Sequence, residues 1–301
     1  MRALLFLLIC TAAAAQTFPL TRTDALGRKV TLPAPPRRIV TLAPSNTELI
    51  FALGLGDRCV GVTNYCDYPP EVKNIARVGG YANMSVEQIA ALSPDLVLAV
   101  YGNPDWMLAR LRELSIPVFG LNPQRLADVP RDIVLVAELC GVATAGQELA
   151  AAFNAAIAAV TTAVAAATTR PRVYFGAWDP PFFSPGPGSF IYDMVELAGG
   201  ENLTRGYGKN WISLSLEEIV ERDPEIVIHG LEGIPTTAEQ DNAEALAMLR
   251  RRAGWRATTA VRTGRVYLLN DNLLQRPGPR LAEGLRALAR AIHPECFPTP
   301  P

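Results

Sequence analysis

Histidine is almost missing from this chain, with two in 301 residues, and so is any excess of basic charge. Twenty-eight lysines and arginines face 29 aspartates and glutamates, a formal net charge of -1. That balance leaves no electrostatic footprint for a phosphate backbone, so nucleic acid is not expected as a partner. Catalytic signatures are missing as well. There is no GxSxG elbow, no HExxH motif and no paired catalytic carboxylates, and Gly186-Pro-Gly-Ser189 is not a nucleophile elbow. An exported hydrolase would have to rely on Asp67, His229 or Cys66, so the expectation is that the chain is not an enzyme. Past Cys10 only four cysteines remain, Cys59, Cys66, Cys140 and Cys296, and their spacings fit no zinc pattern. An oxidising compartment would allow three complete pairings among them, and sequence does not choose. Beyond the N-terminus no apolar run reads as long enough to span a bilayer.

What is present begins with an export signal. Arg2, the apolar stretch Ala3 to Ile9 and the small residues Ala13 to Ala15 fit a signal peptide over residues 1–15, cleaved before Gln16. Lipoprotein anchoring at Cys10 is the rival reading, disfavoured by the bulk of Ile9. A hydrophobic content of 49% with 19% charged residues supports packed cores, and the length suggests two domains.

Sixteen residues occur twice, 130 positions apart. Ser85 to Val100 (SVEQIAALSPDLVLAV) matches Ser215 to Gly230 (SLEEIVERDPEIVIHG), with Tyr81 and Trp211 each four positions ahead. In each copy a serine stands where it caps a helix, a glutamate (Glu87, Glu217) sits in the first turn, and a proline ends the helix before an apolar strand. Strands this continuously apolar fit a parallel sheet covered on both faces. The remaining pattern agrees. Lys29–Leu32 and Arg38–Leu42 read as strands, Pro44–Thr47 as turn and cap, and Glu48–Leu53 as a helix stopped by Gly54. Arg172–Phe175 and Tyr192–Ala198 repeat that strand and helix in the second half. The alanine-rich stretch 144–170 carries Leu149, Phe153, Ile157, Val160 and Val164 at helical spacing. The expected architecture is α/β: two similar lobes, 16–143 and 171–301, each with a parallel sheet flanked by helices, joined by one long rigid helix over 144–170. A cleft between them is the expected ligand site.

The motifs also resemble a known family. Arg38-Ile-Val-Thr-Leu-Ala-Pro-Ser-Asn-Thr-Glu48, Tyr65-Cys-Asp-Tyr-Pro-Pro70, Val78-Gly-Gly80, Pro180-Pro-Phe182, Gly199-Gly-Glu-Asn202 and Arg276-Pro-Gly-Pro-Arg280 are similar to the periplasmic substrate-binding proteins of ABC importers with a helical backbone, most of all their cobalamin-binding branch. The resemblance implies a monomeric periplasmic receptor that captures cobalamin or another corrinoid, holds no covalent cofactor, and docks on a permease dimer with its ATPase subunits. It carries Tyr65, Tyr81, Trp211 and Asp271 onto ligand-contacting positions and Glu87 and Glu217 onto permease docking. Tyr81 stands where the family has tryptophan, Val100 replaces an aromatic with Tyr101 beside it, and Trp178 is one position out of alignment.

Loops at strand ends add Tyr101, Trp178 and Arg276 to the candidate cleft. Asp271 or Asn103 would answer amides on a ligand's rim. A ferric siderophore or haem is the alternative ligand, which would favour clustered arginines or a metal-binding tyrosine or histidine. Arg276 alone is no cluster. His229 reads as structural at a strand end, and His293 as a cap on the final helix.

Overall fold

A computed structural model describes residues 16–81, 83–232 and 239–297. The expected export signal, 1–15, and Cys10 lie outside the described residues. The first lobe opens with an antiparallel hairpin, β1 (Leu20–Thr23) on β2 (Lys29–Leu32), and then builds a parallel sheet. Its strands are β3 (Ile39–Thr41), β4 (Cys59–Val62), β5 (Ala76–Arg77), β6 (Leu96–Val100) and β7 (Val118–Leu121), in the order β5-β4-β3-β6-β7. Helices α1 (Pro44–Ala52), α2 (Val86–Ala91), α3 (Asp105–Glu113) and α4 (Asp128–Leu139) connect or follow them. Next comes α5 (Ala143–Val164).

The second lobe contains β8 (Arg172–Phe175), the hairpin strand β9 (Phe182–Pro185), α6 (Phe190–Leu197), β10 (Glu201–Asn202), β11 (Trp211–Leu214) and α7 (Leu216–Arg222). It continues with β12 (Ile226–Leu231), α8 (Glu239–Arg251), α9 (Thr259–Thr263), β13 (Val266–Asn270), α10 (Asp271–Leu274) and α11 (Leu281–Ile292). Its parallel sheet runs β10-β8-β12-β13, while β9 and β11 pair antiparallel beside it.

The duplicated segment is duplicated in structure down to individual hydrogen bonds. Ser85 Oγ accepts from Gln88 N and Ser215 Oγ from Glu218 N, each at 3.1 Å. The helices end through Ser93 (φ 46°) and Asp223 (φ 44°), one residue before each proline. Asp95 then accepts from the backbone amide of Arg38, and Glu225 from that of Arg172. Finally, Arg38 Nε reaches Leu92 O at 2.9 Å and Arg172 Nε reaches Arg222 O at 3.1 Å, so each arginine closes its helix from the neighbouring strand. Strands β6 and β12 both lie inside their sheets, which is why β6 is apolar throughout and β12 is apolar up to His229.

Three expectations shift. Helix α1 starts at Pro44 rather than Glu48. Proline suits a first helical position, where its missing N–H costs nothing. Ser45, Asn46, Thr47 and Glu48 are therefore inside the helix, and all four are buried. Asn46 Nδ2 donates to Leu98 O and Ala99 O, and the Thr47 and Thr41 hydroxyls meet at 2.6 Å, so these polar groups fasten helix to sheet. The connecting helix ends at Val164, short of residue 170. Its 22 residues span about 33 Å at 1.5 Å each. By length and composition α5 could cross a bilayer, contrary to the sequence reading. Its stripe of Ala150, Phe153, Val160 and Val164 is instead covered by α4 and α11.

That stripe joins the lobes. One apolar core contains Ile39, Leu96 and Phe119 from the first sheet, Phe153 and Val160 from α5, and Val173, Phe175 and Ile226 from the second sheet. Each lobe also has a private core on its outer face, around Met107 in the first and Trp255 in the second. A shared inner core means that the lobes cannot separate without exposing apolar surface on both. Phe153→Ala is expected to cost about 3–5 kcal/mol and to leave one cooperative transition. Urea unfolding followed by far-UV circular dichroism and tryptophan fluorescence, with coincident curves, checks this.

Candidate ligand cleft

The C-terminal ends of the first lobe's parallel strands point at the seam between the lobes. Strand β6 delivers Val100 and Tyr101, β7 delivers Leu121, Asn122 and Pro123, and the start of α1 delivers Pro44 and Ser45. The second lobe answers with Phe190 and Ile191 at the start of α6, Trp211 on β11, and Gln275 to Pro277 after α10. Together with Tyr81 these enclose a cleft of about 300 Å³. Crevices beyond strand ends are where α/β sheets collect ligands, because neighbouring loops diverge there.

Among the expected site residues, the structure gathers Tyr81, Tyr101, Trp211 and Arg276 around this cleft. Tyr81, Tyr101 and Trp211 are 38%, 66% and 48% exposed, a large apolar area left open to solvent. The Tyr81 hydroxyl donates to Tyr101 O at 2.9 Å, which braces the two rings on one wall. Trp211 faces outward from its hairpin while Ile212 and Leu214 pack inward. Tyr65 is exposed beside Gly80, on the rim next to Tyr81 rather than in the lining. Asp271 heads α10, where Gln275 Nε2 donates to it, so it stands one layer behind the cleft.

Trp178 and Asn103 are elsewhere. Trp178 is 8% exposed within the second lobe's private core, its ring 5.0 Å from that of His229, and its carbonyl accepts from Trp255 Nε1 and Arg252. Its strand-end position is as expected, but the side chain turns into the lobe and not into the cleft. His229 pairs with Gly176 O at 3.0 Å, a structural role. Asn103 is buried and fully engaged by the main chain: its Oδ1 accepts from Val100 N and its Nδ2 donates to Leu42 O. It fixes the loop carrying Tyr101. His293 ends α11 and joins Gly199 O to Glu295.

Arg276 lines the cleft but is not a free cation. Its guanidinium meets Asp67 Oδ1 at 2.5 Å and Oδ2 at 3.2 Å, and Glu48 Oε1 at 3.0 Å, both carboxylates belonging to the first lobe. Arg280 adds a second contact to Glu48 at 3.5 Å and lies over the Tyr68 ring at 3.8 Å. Burial works against the charge of Arg276, yet the bonds to Asp67 and Glu48 outweigh it and leave its pKa raised. Glu48 is held above the usual carboxylate range because burial outweighs the two arginines, and its Oε2 has no hydrogen-bond partner among the described residues. On the other flank Arg125 grips Asp193 through two bonds of 2.7 and 2.6 Å, again across the lobes. Of this lattice, sequence reasoning missed Glu48 as a partner of Arg276; the Arg276-Pro-Gly-Pro-Arg280 motif was the signal.

The candidate docking residues sit apart from the cleft chemistry. Glu87 and Glu217 are both exposed in the first turns of α2 and α7. They are not equivalent in detail. Glu87 accepts from Ser85 Oγ at 3.0 Å, and its own backbone amide with that hydroxyl holds it below the usual range. In the second lobe Glu218 takes over the serine in a capping box, and Glu217 is left pointing outward without a hydrogen bond or ion pair among the described residues.

A bilobed α/β scaffold with an open aromatic cleft at the seam is the architecture of a solute-capturing protein. The chain belongs to the periplasmic binding protein family, whose description matches residues 39–273. This is a family of solute-binding proteins rather than enzymes. A cobalamin-binding protein of Halobacterium salinarum is 33% identical over 92% of this chain and 75% of its own length. Among solved structures, the periplasmic vitamin B12-binding protein BtuF of Vibrio cholerae superposes with a TM-score of 0.73 at 27% identity, covering 86% of this chain and 97% of that one. The periplasmic heme-binding protein RhuT of Roseiflexus sp. RS-1 does so with 0.74 at 29%, covering 87% and 99%.

Removing Arg276 strands Glu48 and Asp67 together at the seam. Arg276→Ala is expected to lower stability by about 3–5 kcal/mol, measured by chemical denaturation, with Glu48→Gln in the same background recovering part of the loss. Asp132, buried on α4, gives a pH signature. Burial pushes its carboxyl up to about 6, with Arg131 opposing and Asp128 adding. An acid whose folded pKa lies above its unfolded one favours the fold fully below the unfolded value, and the contribution is lost as pH rises through about 6. Asp132→Asn should therefore raise stability at pH 7.5 by roughly 2–3 kcal/mol and change it little near pH 4. Urea titrations at the two pH values check this.

Proposed function

We propose that this protein is the extracytoplasmic receptor of an ABC importer and that its ligand is a corrinoid, cobalamin or cobinamide. The observation that carries the reading is the cleft itself: Tyr81 and Tyr101 on one wall, Trp211 on the other, and a single arginine already neutralised by Asp67 and Glu48. Broad aromatic faces suit a large macrocycle, since they offer apolar area with little side-chain entropy to lose. A spent arginine suits a ligand whose periphery is neutral amide rather than carboxylate. The cobalamin-binding relative and the BtuF likeness support the same reading.

The competing ligand is haem or a ferric siderophore, favoured by the likeness to RhuT. Among the described residues lining the cleft, the side chains able to take an axial position on iron are Tyr81 and Tyr101, and the Tyr81 hydroxyl is already bonded to Tyr101 O at 2.9 Å. A propionate would find Arg276 occupied.

Delivery is assigned to the two exposed glutamates. They would pair with cations of a permease dimer that carries ATPase subunits, setting orientation and encounter rate more than affinity.

Titration with cyanocobalamin, dicyanocobinamide and haemin decides the ligand. Tight corrinoid binding is expected, weakened by Trp211→Ala by about 1–3 kcal/mol; affinity for haemin alone would overturn the assignment. The Glu87→Ala, Glu217→Ala double variant should keep that affinity and lose uptake in proteoliposomes holding the importer. Undiminished uptake would remove the docking role.

A further inference from the structure

Directly beneath the cleft floor is a second, very small cavity of about 10 Å³, room for one water-sized polar group. Five residues line both spaces, Ser45, Val100, Leu121, Pro123 and Pro277, so the floor of one is the roof of the other. The lower cavity lies at the seam, closed on the second-lobe side by Pro277, Gly278 and Pro279. Its one ionisable lining residue among the described residues is Asp132, 6% exposed on α4. Among the described residues, Asp132 Oδ1 has only Arg131 Nε at 3.7 Å, and Oδ2 is buried with no hydrogen-bond partner. An unpaired carboxylate oxygen out of contact with solvent costs free energy. Replacing it by a hydrocarbon side chain would suit neighbours such as Leu49, Val129 and Ile133 better. The fold itself therefore gains nothing from this acid, and its position under the ligand cleft supplies a use for it.

We propose that Asp132 is a ligand-binding residue that acts through one water held in the lower cavity: the water donates to its free carboxylate oxygen and accepts from a ligand amide at the cleft floor. The inference rests on the corrinoid reading and sharpens it. A corrinoid periphery carries primary amides, which donate; a haem periphery carries carboxylates, which only accept and would be repelled. Asp132 thus acts as a selectivity element, admitting an amide-bearing macrocycle and penalising an acid-bearing one.

The test uses the mature chain and dicyanocobinamide, with cobinamide derivatives in which one side-chain amide has been hydrolysed to the acid. Asp132→Leu should bind dicyanocobinamide about tenfold more weakly, while melting at a higher temperature than the wild type at pH 7.5, so the loss cannot come from unfolding. Asp132→Asn, which keeps an acceptor oxygen, should lose much less. One of the monoacid derivatives should bind the wild type about tenfold more weakly than its parent, with the gap closing in Asp132→Leu. Unchanged dicyanocobinamide affinity in Asp132→Leu overturns the role of Asp132 and leaves the corrinoid reading intact. Failure of the wild type to bind any corrinoid overturns both.

Discussion

Two charges from one lobe closing on two from the other give this protein its cleft. Arg276 and Arg280 reach across the seam to Glu48, and Arg276 also takes Asp67. Neither half could afford these groups alone: Glu48 is 1% exposed and Arg276 10%, and a charge so enclosed needs its partner. The cluster therefore acts as a register pin more than as a source of stability. It brings the loop after β4 and the segment after α10 to one spacing, and every other cleft residue is positioned relative to that spacing. The shared apolar core around α5 acts from behind, and the Arg125–Asp193 pair holds the other flank. With three independent ties across one seam, wide opening of the lobes would have to break all three.

The duplication explains why so much of the fold was legible in the sequence. A helix cap, a first-turn acid, a terminating proline and an apolar strand are local signals, each read within a few residues, and both copies carry them in one register. The finer matches were less visible. That Arg38 and Arg172 each close the helix beside them depends on strands brought together from 54 and 50 residues away. The start of α1 was misplaced for a related reason. Ser45, Asn46 and Thr47 have the composition of a cap, but buried sheet carbonyls compete for their side chains, and tertiary hydrogen bonds prevail over local preference.

At the site, position was legible and direction was not. Strand-end placement located Tyr81, Tyr101 and Trp211, where a hairpin or loop leaves one face open. The same placement failed for Trp178, since a core behind the loop accepts its ring, and for Asn103, since the main chain at Val100 and at Leu42 takes its amide. Whether a side chain at a strand end faces ligand or lobe depends on what lies behind it, information that is absent from one strand's sequence. Arg276 is the instructive intermediate: it does line the cleft, but its charge is spent on the opposite lobe.

That expenditure reshapes the chemistry available to a ligand. Had Arg276 been unpaired, the cleft would combine aromatic walls with a free cation and favour an anion-bearing macrocycle. With Asp67 and Glu48 on it that cation is already answered, and the polar atom left unpaired beneath the floor is the Asp132 carboxylate oxygen. Desolvating a carboxylate ligand against such a lining would cost far more than desolvating an amide, whose N–H groups gain acceptors. The ion pairs that tie the lobes and the preference proposed for a neutral, donor-rich ligand are therefore consequences of one arrangement. A chain that closed its seam with apolar contacts alone would leave that selectivity to be built elsewhere.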